Sequence, residues 1–379
     1  MSASTSATAA QAARERDRAA YQRFVTTARG YWARDLFSAL RRQIAADISV
    51  PGGTGSSPRD SVSMGSVSTD YEARIAQHPT HQIFAWLERH LQRMRYSGPY
   101  GLVAGVTAQR EALVRSLSEQ ADEELLELDP ALQPPAYYTD YDIHQHPGGL
   151  VGDPLAAFVY RDAVQGGGVV GKPALHERFA RAAVAGEQPR RILDMGCGFG
   201  RGTFAFAEAA PEARVDGIDL SASCVSLAAH DAPAPLRSRL HFAQANALDN
   251  SLPDGAFDLI TSTMLLHEMP EDAVRELIRE TGRLTAPGGK VAHLDFLPPA
   301  DPLLRALYAG HARRNNEPYL LDHSRIDLET AYREAGFERV EVRDFAEDDD
   351  ALADPPRSWR LPWKMIVAYK PGQAKESKR

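Results

Sequence analysis

The spacing of hydrophobic positions changes about halfway along the chain. Before residue 128, apolar side chains recur every three to four positions, which predicts amphipathic helices. These helices cover roughly 11–48, 71–96 and 107–128, and a Gly/Ser/Pro-rich loop at about 50–70 separates the first two. We expect breaks at Gly30 and at His78-Pro79, and a disordered tail over the first ten residues.

After about residue 185, apolar strands alternate with helices. Near-continuous apolar strands between helices are typical of a parallel sheet that is covered on both faces. The predicted fold class is therefore α/β, a doubly wound and mostly parallel sheet whose last strand is antiparallel, with an N-terminal helical domain. We divide the chain into a helical extension (1–135), a linker or lid (136–185) and an α/β domain (186–379).

Composition narrows the range of partners. The 379 residues carry a net charge of −8, which gives no basic field for nucleic acid or for an anionic membrane. No run of apolar residues is long enough for a transmembrane helix, and the N-terminus lacks the apolar core of a signal peptide. Two cysteines cannot build a disulfide framework. We expect a cytoplasmic protein.

The first strand of the α/β part ends in a glycine-rich turn, DMGCGFG, which begins at Asp194. The dinucleotide fingerprint G-x-G-x-x-G/A is met only from Gly200, six residues beyond Asp194, which is late for a turn directly after the strand. This register keeps a nicotinamide cofactor open as a weak alternative. A P-loop is excluded because no G-K-[ST] follows the glycines.

The turn resembles motif I of the class I S-adenosylmethionine-dependent methyltransferases, hhD/E-x-G-x-G-x-G. Four later segments resemble further motifs of that family in the same order: GIDLS, QANAL, PDGAFDLITSTMLLHEM and LTAPGGKVAHLDF. Together they cover about 190–297. The general likeness is to the group that includes ubiquinone, menaquinone and secondary-metabolite methyltransferases.

The resemblance implies S-adenosylmethionine as the cofactor. Asp219, about 20 residues after the turn, would accept both ribose hydroxyls, and Asn246 stands where the family often has an acid near the adenine amine. Glycines let the turn approach the ligand because they lack a Cβ and tolerate positive φ. The expected cofactor-binding residues are Asp194, Gly196, Cys197, Gly198, Gly200, Asp219, Leu220, Asn246, Ala247 and Thr263.

His267 follows the fourth strand and is the first candidate for a general base or acceptor-orienting residue, since an ordinary histidine pKa of about 6.5 suits proton removal. A helix cap or a backbone hydrogen bond is its alternative role. His144, on a closing lid, is the second candidate. The i, i+2 spacing of His144 and His146 would put both on one face of a strand, as in a metal pair, but no further ligands complete a site and we expect no metal. The expected substrate-binding residues are Tyr141, His146, Glu268, Tyr308, His311 and Arg314, the last as a possible carboxylate ligand.

These observations predict methyl transfer to a small organic acceptor on O, N, S or C. The alternatives are a non-catalytic cofactor-binding or scaffold protein with the same fold, and a nicotinamide oxidoreductase. The N-terminal helices must bury their apolar faces, and they are expected to enclose the acceptor or to form a homodimer.

Overall fold

The protein, as seen in a computed structural model, is described over residues 2–48, 69–119, 122–166, 173–352 and 356–372. One eight-stranded sheet has the spatial order β1-β4-β3-β2-β5-β6-β8-β7. β8 runs antiparallel to both of its neighbours, and every other pair is parallel, which confirms the predicted fold class. The strands are β1 (Leu126–Glu127), β2 (Arg191–Met195), β3 (Arg214–Asp219), β4 (Leu240–Gln244), β5 (Phe257–Thr263), β6 (Thr285–Phe296), β7 (Arg339–Asp344) and β8 (Trp363–Tyr369).

Fourteen α-helices are assigned within the described residues. Six precede the lid and a seventh begins it: α1 (Ser2–Tyr31), α2 (Phe37–Asp47), α3 (Thr69–Gln77), α4 (Pro79–Tyr96), α5 (Leu102–Thr107), α6 (Arg110–Glu119) and, in the lid, α7 (Ala136–Thr139). The others are α8 (Ala156–Gln165), α9 (Pro173–Val184), α10 (Arg201–Ala209), α11 (Ala222–Asp231), α12 (Glu271–Leu284), α13 (Pro302–Asn315) and α14 (Leu328–Glu334). No helix in the described ranges is both long enough and apolar enough to cross a bilayer.

Both faces of the sheet are covered, as the apolar strands predict. Ile192 and Leu193 are adjacent on β2 and fully buried, yet they belong to two different hydrophobic clusters. Successive side chains of a strand point to opposite faces, so each cluster occupies one face. Ligand sites in such sheets lie at the carboxyl ends of the strands, where the strand order reverses. Here the reversal is at β2, between β3 and β5.

The N-terminal helices share a core with the sheet instead of forming a separate one. Phe37 and Phe84, from α2 and α4, lie in the same buried cluster as Phe179 and Phe206, from α9 and α10. β1, which lies inside the predicted helical extension, pairs with β4 at the edge of the sheet. The boundary predicted at residue 135 therefore does not separate two cores, because apolar faces of both parts pack together.

Three local predictions differ from the structure. α1 begins at Ser2, within the predicted tail, and the alanines of this stretch have the highest helix propensity. The helical irregularity lies at Trp32–Leu36, a π-helical turn, and not at Gly30. The helix predicted over 107–128 is shorter, since α6 ends at Glu119.

The expected break at His78-Pro79 is present, and the His78 ring caps α4 by accepting a hydrogen bond from the Thr80 backbone N–H. The Gly/Ser-rich loop lies almost entirely outside the described residues.

Candidate functional site

The glycine-rich turn joins β2 to α10 at the carboxyl edge of the sheet. Gly196, Gly198 and Gly200 all have positive φ, of 66°, 53° and 87°. The Cys197 N–H donates to the Ile218 carbonyl (3.0 Å), which ties the turn to the end of β3. A Cβ on Gly196 would lie 2.7 Å from a Leu265 methyl group, whereas one on Gly198 would meet nothing nearer than Tyr160 at 3.8 Å. The turn is thus packed on one side and open at Gly198.

Asp219 ends β3 opposite the turn. Its Oδ2 accepts the Gly198 N–H and its Oδ1 accepts the Ser221 N–H, both at 2.9 Å. Burial raises the pKa of this carboxyl. Each carboxylate oxygen has a second lone pair, so Asp219 keeps the capacity to accept two further hydrogen bonds from a ligand.

Asp194 and Gly200, both predicted to bind cofactor, support the turn from behind. Asp194 is 2% exposed and accepts a hydrogen bond from the Thr203 hydroxyl (2.7 Å), and burial raises its pKa to about 7. A Cβ on Gly200 would lie 2.8 Å from the Phe204 ring. Gly200 lines none of the cavities near the turn and Asp194 lines only a small one, so their contact with the ligand stays a prediction. Asp194 and Cys197 line a cavity of about 40 Å³, which shares Gly196, Gly198 and Thr263 with the 100 Å³ cavity described below.

Two adjoining cavities lie in front of the turn. The larger, of about 100 Å³, is lined by Gly198, Thr263 and Tyr141, and the smaller, of about 60 Å³, by Leu220, Asn246 and Ala247. The two cavities share Tyr138, Gly196, Asp219, Leu265 and Glu268. Seven of the ten predicted cofactor residues line these two cavities: Gly196, Gly198, Asp219, Leu220, Asn246, Ala247 and Thr263. We refer to this pair as the ligand cleft.

A third cavity, of about 230 Å³, adjoins the cleft and is enclosed by α1, α4, α8, α13 and the lid. We call it the inner cavity. It shares five lining residues with the 100 Å³ cavity: Tyr96, His144, Tyr160, Met264 and Glu268. Met264 has φ of 60°, a left-handed conformation that is strained for a non-glycine residue and is often found at functional sites. Glu268 lines the inner cavity and both parts of the cleft.

Acidic and basic side chains alternate in a chain of contacts, most of whose members line the inner cavity. Asp295, at the end of β6, accepts from His267 Nδ1 (2.6 Å), and His267 Nε2 lies 3.4 Å from Glu268 Oε1. The same Glu268 oxygen lies 3.0 Å from His144 Nε2, and His144 Nδ1 lies 2.9 Å from Glu317 Oε1. We call the full chain of contacts the acid–base network. In order, its members are Asp295, His267, Glu268, His144, Glu317, His311, Glu88 and Arg314.

The network keeps its members charged. Burial alone would lower the histidine pKa values, but the neighbouring carboxylates raise that of His267 to about 10 and that of His311 to about 9, and they raise that of His144 well above its ordinary range. Burial opposes ionisation of Glu268 too, yet the two imidazoles hold its pKa down at about 2. This corrects the prediction that His267 titrates near 6.5. It is 2% exposed, and both of its ring nitrogens face carboxylates.

The lid places its two histidines differently from the prediction. Residues 143–145 form a short 3-10 turn and not a strand, and His144 has φ of 57°. His144 therefore points into the network, while His146 stacks on Tyr96 with ring centroids 5.1 Å apart. Burial lowers the pKa of His146 to about 4. The two rings do not form a pair, and within the described residues no group of three acidic, histidine or cysteine side chains is arranged to hold a metal.

The side chains of two other predicted substrate residues already have partners within the protein. Tyr308 is fully buried and its hydroxyl donates to the Leu320 carbonyl (3.1 Å). The Arg314 guanidinium pairs with Glu88, so it is not available for a substrate carboxylate. Both predictions are corrected. His311 and Glu268 do line the inner cavity, and Tyr141 and His146 line the cleft.

Sequence reasoning missed most of the inner cavity. Asp295 could have been predicted from the sequence, since it lies at the carboxyl end of a strand next to the site. Glu317 lies in the segment after β6 from which other candidates were taken. Arg29, Glu88 and Arg95 carried no signal, because charged residues on amphipathic helices usually face solvent.

Comparison with known protein families gives a match to part of the chain. Residues 192–289 match the family model described as a methyltransferase domain. This segment contains the glycine turn, Asp219 and Glu268. The match confirms the resemblance identified from the motifs.

Several curated proteins are similar to part of the chain. The chain is 31% identical to 27-O-demethylrifamycin SV methyltransferase of Amycolatopsis mediterranei over 158 residues, which are 41% of this chain and 57% of the relative. It is 30% identical to demethylmenaquinone methyltransferase of Deinococcus radiodurans, over 35% of this chain and 53% of that one. The chain thus spans little more than half the length of these relatives. A solved structure, described as a putative O-methyltransferase from Nostoc punctiforme, aligns with 78% of this chain and 74% of its own at 19% identity and a TM-score of 0.46.

Proposed function

We propose that this chain, which carries a methyltransferase domain, transfers the methyl group of S-adenosylmethionine to a small organic acceptor. The observation that carries the proposal is the continuity of the ligand cleft with the inner cavity at Met264 and Glu268. A cofactor held in the cleft and an acceptor held in the inner cavity would meet at these two residues. The relatives support a small acceptor, since their names refer to 27-O-demethylrifamycin SV and demethylmenaquinone.

The residues of the cleft fit this cofactor. The space beside Gly198, which a side chain would occupy, allows a ligand to approach the backbone, and Asp219 faces both parts of the cleft as an acceptor for two hydroxyl groups. Asn246, Ala247 and Leu220 offer a largely apolar slot with one amide, which suits a purine. When bound there, S-adenosylmethionine supplies an electrophilic methyl group on a sulfonium.

The protein's part in this reaction is chiefly to align the acceptor with the methyl group and to enclose both. Methyl transfer is an in-line displacement, so holding the nucleophile at the junction and excluding water lowers the barrier. Glu268 is kept ionised by His144 and His267 and can accept a hydrogen bond from the attacking group. A carboxylate with a pKa of about 2 is a weak base for a free hydroxyl. It can still take the proton once the nucleophile has begun to bond to the methyl group, because that group is then strongly acidic.

Two measurements test the proposal. Calorimetry with S-adenosylmethionine, S-adenosylhomocysteine and NAD should show binding of the first two and not of NAD. A labelled methyl donor incubated with metabolite mixtures should then label a small product. Binding of NAD alone would favour the oxidoreductase, and cofactor binding without any labelled product would favour the non-catalytic alternative.

We also propose a homodimer formed through the N-terminal helices. Phe24 and Tyr31 on α1, and Ile83 and Trp86 on α4, are more than half exposed, which is unusual for large apolar side chains. Sedimentation of the full chain and of a Phe24→Ser, Trp86→Ser variant tests this proposal. A monomer at micromolar concentration, or an unchanged dimer in the variant, would contradict it.

A further inference from the structure

Two guanidinium groups in the inner cavity have no carboxylate partner. Arg29 on α1 and Arg95 on α4 both line it. Arg95 is only 8% exposed, and its Nη2 has no hydrogen-bond partner. The Arg29 side chain donates to the Gln92 amide oxygen, which carries no charge. Over the ranges that the structure describes, no ion pair involves either arginine, whereas Arg314 is paired with Glu88.

The rest of the cavity does not balance these charges. The acid–base network contains four carboxylates, which match its three imidazolium groups and Arg314. Glu88 attracts Arg29 through space, but its two oxygens contact His311 and Arg314, so among the described residues of the cavity Arg29 and Arg95 have no carboxylate of their own. A buried charge is costly unless it is paired, and like charges side by side add to the cost. Burial, together with Arg29 close by, lowers the pKa of Arg95 to about 10.

The apolar walls of the same cavity are largely aromatic. Trp32 stacks on Phe84 and lines the cavity, as Phe296 and Trp359 do. Tyr96 and Tyr160 complete the wall toward the cleft. Flat aromatic surfaces favour a planar, rigid ligand, and such sites usually fix its orientation with a few polar groups.

We propose that the methyl acceptor is an aromatic molecule with a carboxylate group, and that Arg29 and Arg95 bind this carboxylate. The planar fork of a guanidinium matches a carboxylate in two parallel hydrogen bonds. An anion there would pair the buried Arg95 and the half-buried Arg29, neither of which forms an ion pair in the described ranges. This inference rests on the proposed function, since it names the class of acceptor for that site.

The test uses 2-naphthoate and its neutral counterpart 2-naphthamide, titrated calorimetrically into the full chain with and without S-adenosylhomocysteine. We expect the wild-type protein to bind naphthoate at least 10-fold more tightly than naphthamide. Arg95→Gln should weaken naphthoate binding about 10- to 100-fold, the effect of losing a charge-assisted hydrogen bond, and should leave naphthamide binding unchanged. Arg29→Gln should act in the same direction. Arg93→Gln, an exposed arginine on the same helix, is the matched control.

Thermal unfolding separates a binding role from a structural one. Because Arg95 has no partner to lose, ligand-free Arg95→Gln should melt no lower than the wild type. A variant that melts much lower, or does not fold, would show a structural role and overturn the proposal. Equal affinities for the two probes, or no detectable binding of naphthoate at millimolar concentration, would overturn it as well. If S-adenosylhomocysteine binds but the preference for naphthoate is absent, only the acceptor class fails. If S-adenosylhomocysteine does not bind the wild type, the proposed function itself fails.

Discussion

His144 Nε2 lies 3.0 Å from Glu268 Oε1, and this contact joins the lid to the loop that follows β5. Glu268 is the residue that lines the inner cavity and both parts of the cleft, so the contact fixes the lid over the point where they meet. His144 is itself held from the other side by Glu317 (2.9 Å). A lid residue thus determines where the Glu268 carboxylate lies, and the following predictions depend on that position.

Replacement of Glu268 by Gln should lower turnover by about 10²- to 10⁴-fold, as expected for loss of a group that handles the acceptor proton. Affinity for S-adenosylhomocysteine, measured by calorimetry, should change much less, because Asp219 and the glycine turn remain. Glu271→Gln, a partly exposed acid at the start of α12, is the control and should keep normal turnover. Full turnover in Glu268→Gln would mean that alignment alone drives the reaction.

The pH dependence of turnover distinguishes this role from that of a neutral histidine base. Glu268 is ionised above its pKa of about 2, and the paired histidines stay protonated until well above neutral pH. We therefore expect Glu268 and its two histidines to add no titration step to kcat, measured with saturating cofactor, between about pH 5.5 and 8. A histidine base with an ordinary pKa of about 6.5 would instead give a rate that rises through that value. Such a rising limb, lost in His144→Gln, would assign the base to the lid.

Replacement of Asp219 by Ala should weaken the binding of S-adenosylhomocysteine by about 1.5–3 kcal/mol, the value of hydrogen bonds to a charged group. The variant also loses the acceptor for the Gly198 N–H, so the turn itself should loosen. Asp216→Ala, on the same strand but near Arg191, is the matched control and should bind normally. Unchanged affinity in Asp219→Ala would exclude the carboxylate as a ribose ligand.

Gly198 and Gly196 should respond differently to Ala. At Gly198 a methyl group meets no protein atom closer than 3.8 Å, so the variant should fold and lose cofactor affinity through contact with the ligand and strain at positive φ. At Gly196 the methyl group would clash with Leu265, and the folded state itself should be destabilised. Circular dichroism melts combined with calorimetry would separate the two effects. Normal cofactor binding by Gly198→Ala would show that the ligand does not approach this turn.

The sequence predicted the parts of the site that a short segment determines. The glycine turn, Asp219 and the parallel sheet follow from local patterns, because a strand, its turn and the next helix are contiguous. The inner cavity depends on packing between distant segments. In the sequence, Arg95 resembles any charged residue of an amphipathic helix, and its place in the cavity depends on the packing of α1 and α8 around it. The raised pKa of His267 depends on Asp295, which lies on the neighbouring strand. Contacts between segments that are far apart in the sequence leave no periodic pattern from which they could be predicted.

The last prediction concerns stability, which should fall as pH rises from neutral to alkaline. The pKa of His267 is raised to about 10 in the folded protein, whereas an unfolded histidine titrates near 6.5, so the folded state binds this proton more tightly. Its contribution is therefore complete below pH 6.5 and is lost as the pH rises toward 10. Urea unfolding at pH 7.5, 8.25 and 9.0 would measure the decline, because histidines whose pKa burial lowers, such as His146, are then largely neutral in both states. The pKa values of His144 and His311 are raised as well, so both histidines add to this loss of stability.

The variant His267→Gln tests the contribution of this imidazole. It removes one partner of a buried ion pair and should lower the free energy of unfolding by about 3–5 kcal/mol at pH 6, and by less at pH 9. The stability of the variant should therefore decline less steeply with pH. His90→Gln, at a half-buried position outside the acid–base network, should follow the wild type. An equal slope in His267→Gln would show that this imidazole is not protonated in the folded protein, and the charge balance of the network would then need to be revised.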